Sequence, residues 1–262
     1  MDIDLTNKQA VVCGASKGIG RATAQELASL GANVTLVARN EEALNTALAT
    51  LDTSKGQQHN VVVADFSDPN ALQVKIEAHV KAHGPVHILV NNTGGPPAGP
   101  ANEASLDQFQ NAFNQHLLCN HVLAQAVLPG MKSEKYGRII NVISTSVKVP
   151  LKGLGVSNTI RAAVANWAKT ISLEVAGFGI TVNNVLPGAT DTDRLSEIIE
   201  GKSKKLGKST DDIIAMEQSH IPAGRFGKPE ELAAAVAFLA SPAAAYINGV
   251  NLPVDGGRTG SL

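Results

Sequence analysis

The chain has 262 residues, and its 22 basic and 23 acidic side chains give a net charge of −1. With 44% hydrophobic and 17% charged residues, the composition is that of a globular protein and excludes a disordered or fibrous chain. A charge this close to zero also argues against a nucleic-acid binder that works through a broad basic surface. Aromatic residues make up only 3%, and the two tyrosines are Tyr136 and Tyr246.

The cysteines and the N-terminal segment bear on where the protein works. Cys13 and Cys119 match no zinc-binding or redox spacing, so we expect reduced thiols and no metal site. The first residues are acidic and polar, unlike a signal or transit peptide. The longest apolar run near the C-terminus covers nine residues, 232–240, whereas a membrane span needs about 20. We therefore expect a soluble, cytoplasmic protein without a membrane partner.

Short apolar runs alternate along the chain with longer segments of helical periodicity. The predicted strands cover residues 9–13, 34–38, 60–64, 87–91, 138–143, 181–185 and 250–254. The predicted helices cover residues 20–30, 41–51, 70–83, 106–131, 161–175 and 229–240. Strand followed by helix, repeated without a break, predicts one α/β domain over residues 1–262: a doubly wound parallel sheet of about seven strands in three layers. The polar, lysine-rich stretch at about 187–225 follows a late strand, where a substrate lid would lie.

The first predicted strand leads directly into a glycine-rich segment. Gly14, Gly18 and Gly20 open the following helix, with Ser16, Lys17 and Ile19 between them. The pyrophosphate of a dinucleotide needs free N–H groups at a helix N-terminus and a backbone without side chains in the way. This pattern between a strand and a helix predicts a dinucleotide cradle, and a plain tight turn is the alternative.

The spacing Gly-x3-Gly-x-Gly resembles that of the short-chain dehydrogenase/reductase family. Further segments resemble the family's motifs in the same order: Asn-Asn-Thr-Gly at 91–94, the strand ending in Ser144, 182–188 with Thr192, 222–225 and 254–257. Together they cover nearly the whole chain and are most similar to ketoacyl-carrier-protein-reductase-like members. The resemblance implies a Rossmann-type fold and hydride transfer between a nicotinamide cofactor and a carbonyl or alcohol substrate.

The resemblance also assigns cofactor contacts outside the glycine-rich segment. It implies that Asp65 holds the adenine amino group and that Asn91 borders the ribose. The other implied contacts are Gly94, Arg161, Pro187, Gly188, Thr190 and Thr192.

The end of the second predicted strand indicates which nicotinamide cofactor binds. An NAD site places a carboxylate there to accept from the ribose 2′-hydroxyl. Here the position holds Arg39, and Lys17 adds a second positive charge from the glycine-rich segment. Both suit the 2′-phosphate of NADP(H), which is the predicted cofactor. The alternative is that both are solvated surface charges.

The catalytic residues depart from the family pattern of Asn, Ser, Tyr and Lys. No Tyr-x3-Lys occurs in the chain, and counting from Ser144 places Ser157 at the Tyr position and Arg161 at the Lys position. Counting back from Pro129, which we expect to close the fourth helix, places His116 at the Asn position. Only Ser144 matches the pattern.

Of the three residues at substituted catalytic positions, His116 is the one with useful acid–base chemistry, because a free imidazole titrates at about pH 6.5. We expect it to protonate the alkoxide directly or through water held by Ser144 and Ser157, with a packed or surface histidine as the alternative. Arg161 keeps its proton, so it can hold ribose hydroxyls, orient a relay water or orient a carboxylate-bearing substrate.

The leading hypothesis is an NADP(H)-dependent oxidoreductase with a non-standard proton donor; the alternative is a catalytically silent NADP(H)-binding sensor or assembly subunit. A 3-oxoacyl thioester, on coenzyme A or an acidic carrier protein, is one candidate substrate. Four lysines in the lid segment could dock it, or could simply be solvated: Lys202, Lys204, Lys205 and Lys208. The resemblance implies a homotetramer or homodimer, and no motif indicates a nucleic-acid partner.

Overall fold

The computed structural model describes residues 1–261, which form one seven-stranded sheet covered by helices. The strands are β1 (Gln9–Cys13), β2 (Asn33–Ala38), β3 (Asn60–Val63), β4 (Ile88–Asn91), β5 (Gly137–Val142), β6 (Ile180–Pro187) and β7 (Asn251–Val254). The helices are α1 (Gly18–Ser29), α2 (Glu41–Leu48), α3 (Pro69–His83), α4 (Leu106–Phe113), α5 (Cys119–Glu134), α6 (Gly155–Val175), α7 (Asp193–Leu206), α8 (Thr210–Ser219) and α9 (Pro229–Ala240). The predicted parallel, doubly wound α/β fold is confirmed.

The strand order is β3-β2-β1-β4-β5-β6-β7, with every neighbouring pair parallel. The chain moves outward from β1 to β3 and then crosses back to β4 on the other side of β1. Between β1 and β4 the connections therefore leave in opposite directions, which opens a crevice at the carboxyl ends of these strands.

Two apolar layers hold the helices against the sheet. One joins α1, α2 and α9 to one face, through side chains such as Leu27, Leu44 and Val236. The other joins α3, α5 and α6 to the opposite face, with Ile76 and Leu123 among its members. Because both faces are covered, the strands consist of nearly continuous apolar runs rather than alternating ones.

The helix across the fourth crossover differs from its prediction. A regular helix was expected over 106–131, but a π turn at Asn114–Leu118 separates α4 from α5. Pro129 lies inside α5, which continues to Glu134, so this proline does not close the helix as expected. The π turn contains His116 and directs its ring into the interior, where it is 1% exposed. Single π turns of this kind recur at functional sites.

The segment expected to form a lid folds into α7 and α8 after β6. Helix α6 begins at Gly155, six residues before the predicted start at 161, so both Ser157 and Arg161 lie on it one turn apart. No helix within residues 1–261 is long and apolar enough to cross a membrane.

A row of four asparagines crosses half of the sheet. Asn91, Asn141, Asn184 and Asn251 occupy matching register positions on β4 to β7. Each of the first three donates from its amide nitrogen to the next side chain's oxygen, at 2.8, 2.9 and 2.8 Å. The row pairs buried amide groups with one another, and Asn91 Oδ1 at its start has no partner within residues 1–261.

Candidate active site

The glycine-rich segment packs so closely that side chains cannot replace its glycines. Gly14 has a φ of 59°, and a Cβ there would lie 2.5 Å from the Asn92 carbonyl oxygen. A Cβ on Gly20 would collide with the Gly14 carbonyl oxygen. The backbone at the start of α1 is therefore bare, and no side-chain hydrogen bond from its N-cap residue Lys17 caps the helix. Its first N–H groups are thus available to a ligand.

Asn92 joins the two strands that border this crevice. Its side-chain nitrogen donates to the carbonyl oxygens of Cys13 and Gly14, at 3.3 and 3.4 Å. Asn91, which is predicted to border the ribose, has a buried side chain that donates to Asn141, so a ribose contact would come from its backbone. The pair Asn91-Asn92 after a buried strand was a signal that one of the two turns toward the crevice.

The segment after β6 lies opposite the glycine-rich segment. A Cβ on Gly18 would lie 3.4 Å from the Thr192 methyl group, so these two segments nearly touch. Thr190 and Thr192 donate their hydroxyls to the carbonyls of Gly188 and Thr190, both at 3.2 Å. The structure thus places Thr192 beside Gly18, with Pro187, Gly188 and Thr190 on the segment that leads to it.

The ends of β2 and β3 form the other side of the cleft. Arg39 is exposed directly after β2, and Asp65 is exposed after β3. The Asp65 carboxylate accepts from the Ser67 backbone N–H at 2.9 Å, which together with nearby Arg39 keeps its pKa below the ordinary value. An open pocket of about 290 Å³ adjoins them, lined by Ser16, Asn40, Glu42, Ala43 and Thr46.

Lys17 forms an ion pair with an acidic side chain of α7. Its ammonium donates to the Asp193 carboxylate at the start of α7, at 2.8 Å, and both side chains are mostly exposed. Arg194, the next residue of α7, donates to the Pro96 carbonyl oxygen at 2.9 Å. The first turn of α7 is therefore held both by the glycine-rich segment and by the loop that follows β4.

The predicted catalytic side chains converge on the carboxyl ends of β4 and β5. Ser144 follows β5, and its hydroxyl accepts from the Ser146 backbone N–H at 3.1 Å. Ser157 is half-buried on the first turn of α6. Arg161, one turn later, donates from Nη1 to the Val142 carbonyl oxygen at 3.3 Å. His116 contacts Thr93, just beyond β4, with 2.7 Å between Nδ1 and Oγ1.

The expectation that His116 titrates near neutrality is wrong. Burial, and secondarily the nearby charge of Arg161, lower the pKa of His116 to about 2. The ring is therefore neutral at any ordinary pH, and its Nε2 has no hydrogen-bond partner within residues 1–261. A neutral imidazole cannot act as the imidazolium acid that we expected from the sequence.

The comparisons identify the family. A family model described as enoyl-(acyl carrier protein) reductase matches residues 14–259. A 3-oxoacyl-(acyl-carrier-protein) reductase, FabG, of Vibrio cholerae is 36% identical over 256 residues, 97% of this chain and 98% of its own. The chain belongs to the short-chain dehydrogenase/reductase family.

Solved structures of similar proteins support the same membership of the short-chain dehydrogenase/reductase family. The L-sorbose reductase of Gluconobacter frateurii, complexed with NADPH and L-sorbose, has a TM-score of 0.93 and 32% identity, and each chain is covered completely. YwfH, an NADPH-dependent reductase involved in bacilysin biosynthesis, has a TM-score of 0.92 and 29% identity, over 98% of this chain and 100% of its own.

The two tyrosines of this chain lie away from Ser144, Arg161 and His116. Tyr136 precedes β5, at the amino ends of the strands, and its hydroxyl donates to the Ala240 carbonyl oxygen at 2.8 Å. Tyr246 precedes β7 and is fully exposed. Neither tyrosine lies at the carboxyl ends of β4 and β5, where the predicted catalytic residues Ser144, Arg161 and His116 are found.

Proposed function

We propose that this protein is an NADP(H)-dependent oxidoreductase that transfers hydride between the cofactor and a carbonyl or alcohol substrate. The observation that carries the proposal is the bare glycine backbone at the start of α1, closed by Asn92 on one side and Thr192 on the other. A dinucleotide pyrophosphate fits this cradle, because a Cβ at Gly14 or Gly20 would collide with backbone.

Charge supports NADP(H) over NAD(H). Arg39 stands at the end of β2, where a carboxylate would repel the 2′-phosphate, and its guanidinium can bind phosphate with two hydrogen bonds. Asp65 lies next to it, at a position suited to the adenine amino group. The relatives YwfH and L-sorbose reductase are described as NADPH-dependent and NADPH-bound, which agrees with this assignment.

Each predicted catalytic residue has a separate role in this reaction. The bound cofactor supplies or accepts the hydride. Ser144 orients the substrate oxygen by a hydroxyl hydrogen bond, and Ser157 holds a water that delivers the proton. Arg161 holds the nicotinamide ribose and places positive charge beside the oxygen as negative charge develops on it, and His116 acts as a neutral donor rather than an acid.

Helices α7 and α8 form the proposed substrate lid at about 187–225. The lid lies next to a site that could admit a 3-oxoacyl thioester. Lys202 is bound to Glu217 of α8, so it supports the lid and is not available for docking.

A homodimer or homotetramer through α4, α5 and α6 would cover apolar side chains that are exposed in the single chain: Leu106, Phe113, Leu118 and Leu173.

Fluorescence titration with NADPH and NADH, followed by a panel of ketones, aldehydes and 3-oxoacyl thioesters, tests the function. We expect tighter binding of NADPH than of NADH, and loss of NADPH absorbance with at least one carbonyl substrate. The matched variant Arg39→Gln should weaken NADPH binding and leave NADH binding nearly unchanged. Binding without oxidation by any substrate would contradict hydride transfer, and no binding of either nucleotide would overturn the whole proposal.

A further inference from the structure

Two buried arginines of this chain have very different surroundings. Arg138 is 3% exposed and donates to the carbonyl oxygens of Ser241, Gly137 and Gly179, with its guanidinium 4.3 Å from the centre of the Tyr136 ring. Arg161 is 7% exposed but donates a single hydrogen bond, to the Val142 carbonyl oxygen. Most N–H groups of the Arg161 guanidinium therefore have no hydrogen-bond acceptor within residues 1–261.

No carboxylate of residues 1–261 balances the charge on Arg161. Burial alone lowers the pKa of Arg161, to about 10, and no acidic side chain raises it back. The guanidinium therefore remains charged at neutral pH in a place that is largely closed to water. A buried charge without a counter-ion is costly, and the cost exists before any reaction begins.

His116 adds a second donor beside Arg161. Thr93 lies on the Nδ1 side of the ring, and Nε2 is buried without a partner. In a neutral imidazole, the Thr93 hydroxyl can donate to Nδ1 only when the proton is on Nε2. We therefore assign the proton to Nε2, with the Thr93 hydroxyl donating to Nδ1.

We propose that Arg161 and the Nε2–H of His116 form a receptor for a carboxylate of the substrate, so that the substrates are oxo acids or hydroxy acids. This inference rests on the proposed oxidoreductase function and names its substrate class. The ribose hydroxyls that Arg161 is proposed to hold, and a substrate carbonyl, are neutral, so they leave the charge of the guanidinium uncompensated and do not use all of its N–H donors. A carboxylate compensates it in the ground state and accepts from both donors.

The carboxylate takes no part in the bond changes. Hydride from the cofactor adds to the carbonyl carbon, a proton from water adds to its oxygen, and the products are the hydroxy acid, hydroxide and NADP⁺. The receptor fixes the carbonyl relative to the cofactor, so it acts on substrate selection and orientation.

The test compares oxo acids with their neutral methyl esters, beginning with 2-oxobutyrate, acetoacetate and levulinate. For the wild-type protein with NADPH, we expect kcat/KM to favour the acid over its own ester by about 10- to 100-fold, the range of a charge-assisted hydrogen-bond pair. Arg161→Gln should reduce this ratio to near one, and His116→Asn should reduce it partly. Arg39→Gln, on the other side of the cleft, is the matched control and should keep the wild-type ratio.

A binding measurement separates this inference from the proposed function. Calorimetry with oxamate and with its neutral ethyl ester, on the NADPH-bound protein, requires no turnover. We expect oxamate to bind at least ten-fold more tightly than the ester, and Arg161→Gln to abolish that difference. Equal binding of acid and ester to the wild-type protein would overturn the receptor even if ketones are reduced. Selective oxamate binding without any carbonyl reduction would retain the receptor and contradict the oxidoreductase proposal.

Discussion

At the scale of single residues, His116 and Arg161 share one buried environment at the carboxyl ends of β4 and β5. The resemblance to the family's motifs predicts that Ser144, Ser157, Arg161 and His116 lie together at one end of the sheet. It could not supply the pKa of His116, because the burial of a ring depends on the π turn and on the side chains packed around it. The identity of a residue follows from the sequence, whereas its protonation state follows from tertiary structure.

The low pKa of His116 makes folding stability depend on pH. The unfolded chain binds a proton at this histidine below about pH 6.5, while the folded chain, with a pKa of about 2, does not. Stability is therefore complete above about pH 6.5 and is lost as the pH falls. When the pH is lowered from 7 to 5, we expect protonation of His116 in the unfolded chain to decrease the free energy of unfolding by about 2 kcal/mol.

Urea unfolding of the wild-type protein and of His116→Asn at pH 7 and pH 5 measures this loss. The variant should lose less stability between the two pH values than the wild-type protein does, by about 2 kcal/mol. An equal loss in both proteins would show that His116 does not carry the linkage.

At the scale of elements, seven strands and the main crossover helices were predictable, because parallel sheets give continuous apolar runs separated by helical periodicity. The π turn was not, since α4 and α5 carry one uninterrupted helical pattern. Nor was the asparagine row. Asn91, Asn141 and Asn184 lie far apart in the sequence, and only strand order and register make them neighbours.

Removing the middle of the asparagine row should destabilise the sheet more than removing its end. Asn141 is fully buried and bonded on both sides, so Asn141→Ala strands an amide of Asn91 and a carbonyl of Asn184. We expect a loss of about 2–4 kcal/mol in the free energy of unfolding, measured with urea. Asn251 is only partly buried and is bonded on one side, so Asn251→Ala should cost about 1 kcal/mol. Equal losses in the two variants would contradict a cooperative row.

At the scale of the whole molecule, the first turn of α7 is attached to both sides of the cofactor cleft. Asp193 holds Lys17 of the glycine-rich segment, and Arg194 holds the loop after β4. The sequence predicts a lid in this region and a phosphate contact for Lys17. The contact of Lys17 with Asp193, 176 positions away, could not be predicted, because it depends on how α7 packs against the glycine-rich segment.

The bridge between Lys17 and Asp193 competes with the proposed phosphate contact of Lys17. Asp193→Ala frees the ammonium and removes a negative charge, so we expect NADPH to bind about two- to five-fold more tightly at low salt. NADH, which lacks the 2′-phosphate, should bind as it does to the wild-type protein. Fluorescence titration of both nucleotides measures this, with the double variant Lys17→Ala/Asp193→Ala as control. Equal gains for NADH would contradict the competition.

The asparagine row also bears on how the sheet assembles. Apolar strands such as β4 and β5 bury much the same surface if one slides past the other by two residues, since the side chains return to the same face. The amides do not tolerate that shift, because a slip in any of β4 to β7 separates a buried donor from its acceptor. Misaligned intermediates are thereby penalised by about 1–3 kcal/mol for each broken rung. The row therefore fixes the register of strands that are joined by long crossovers.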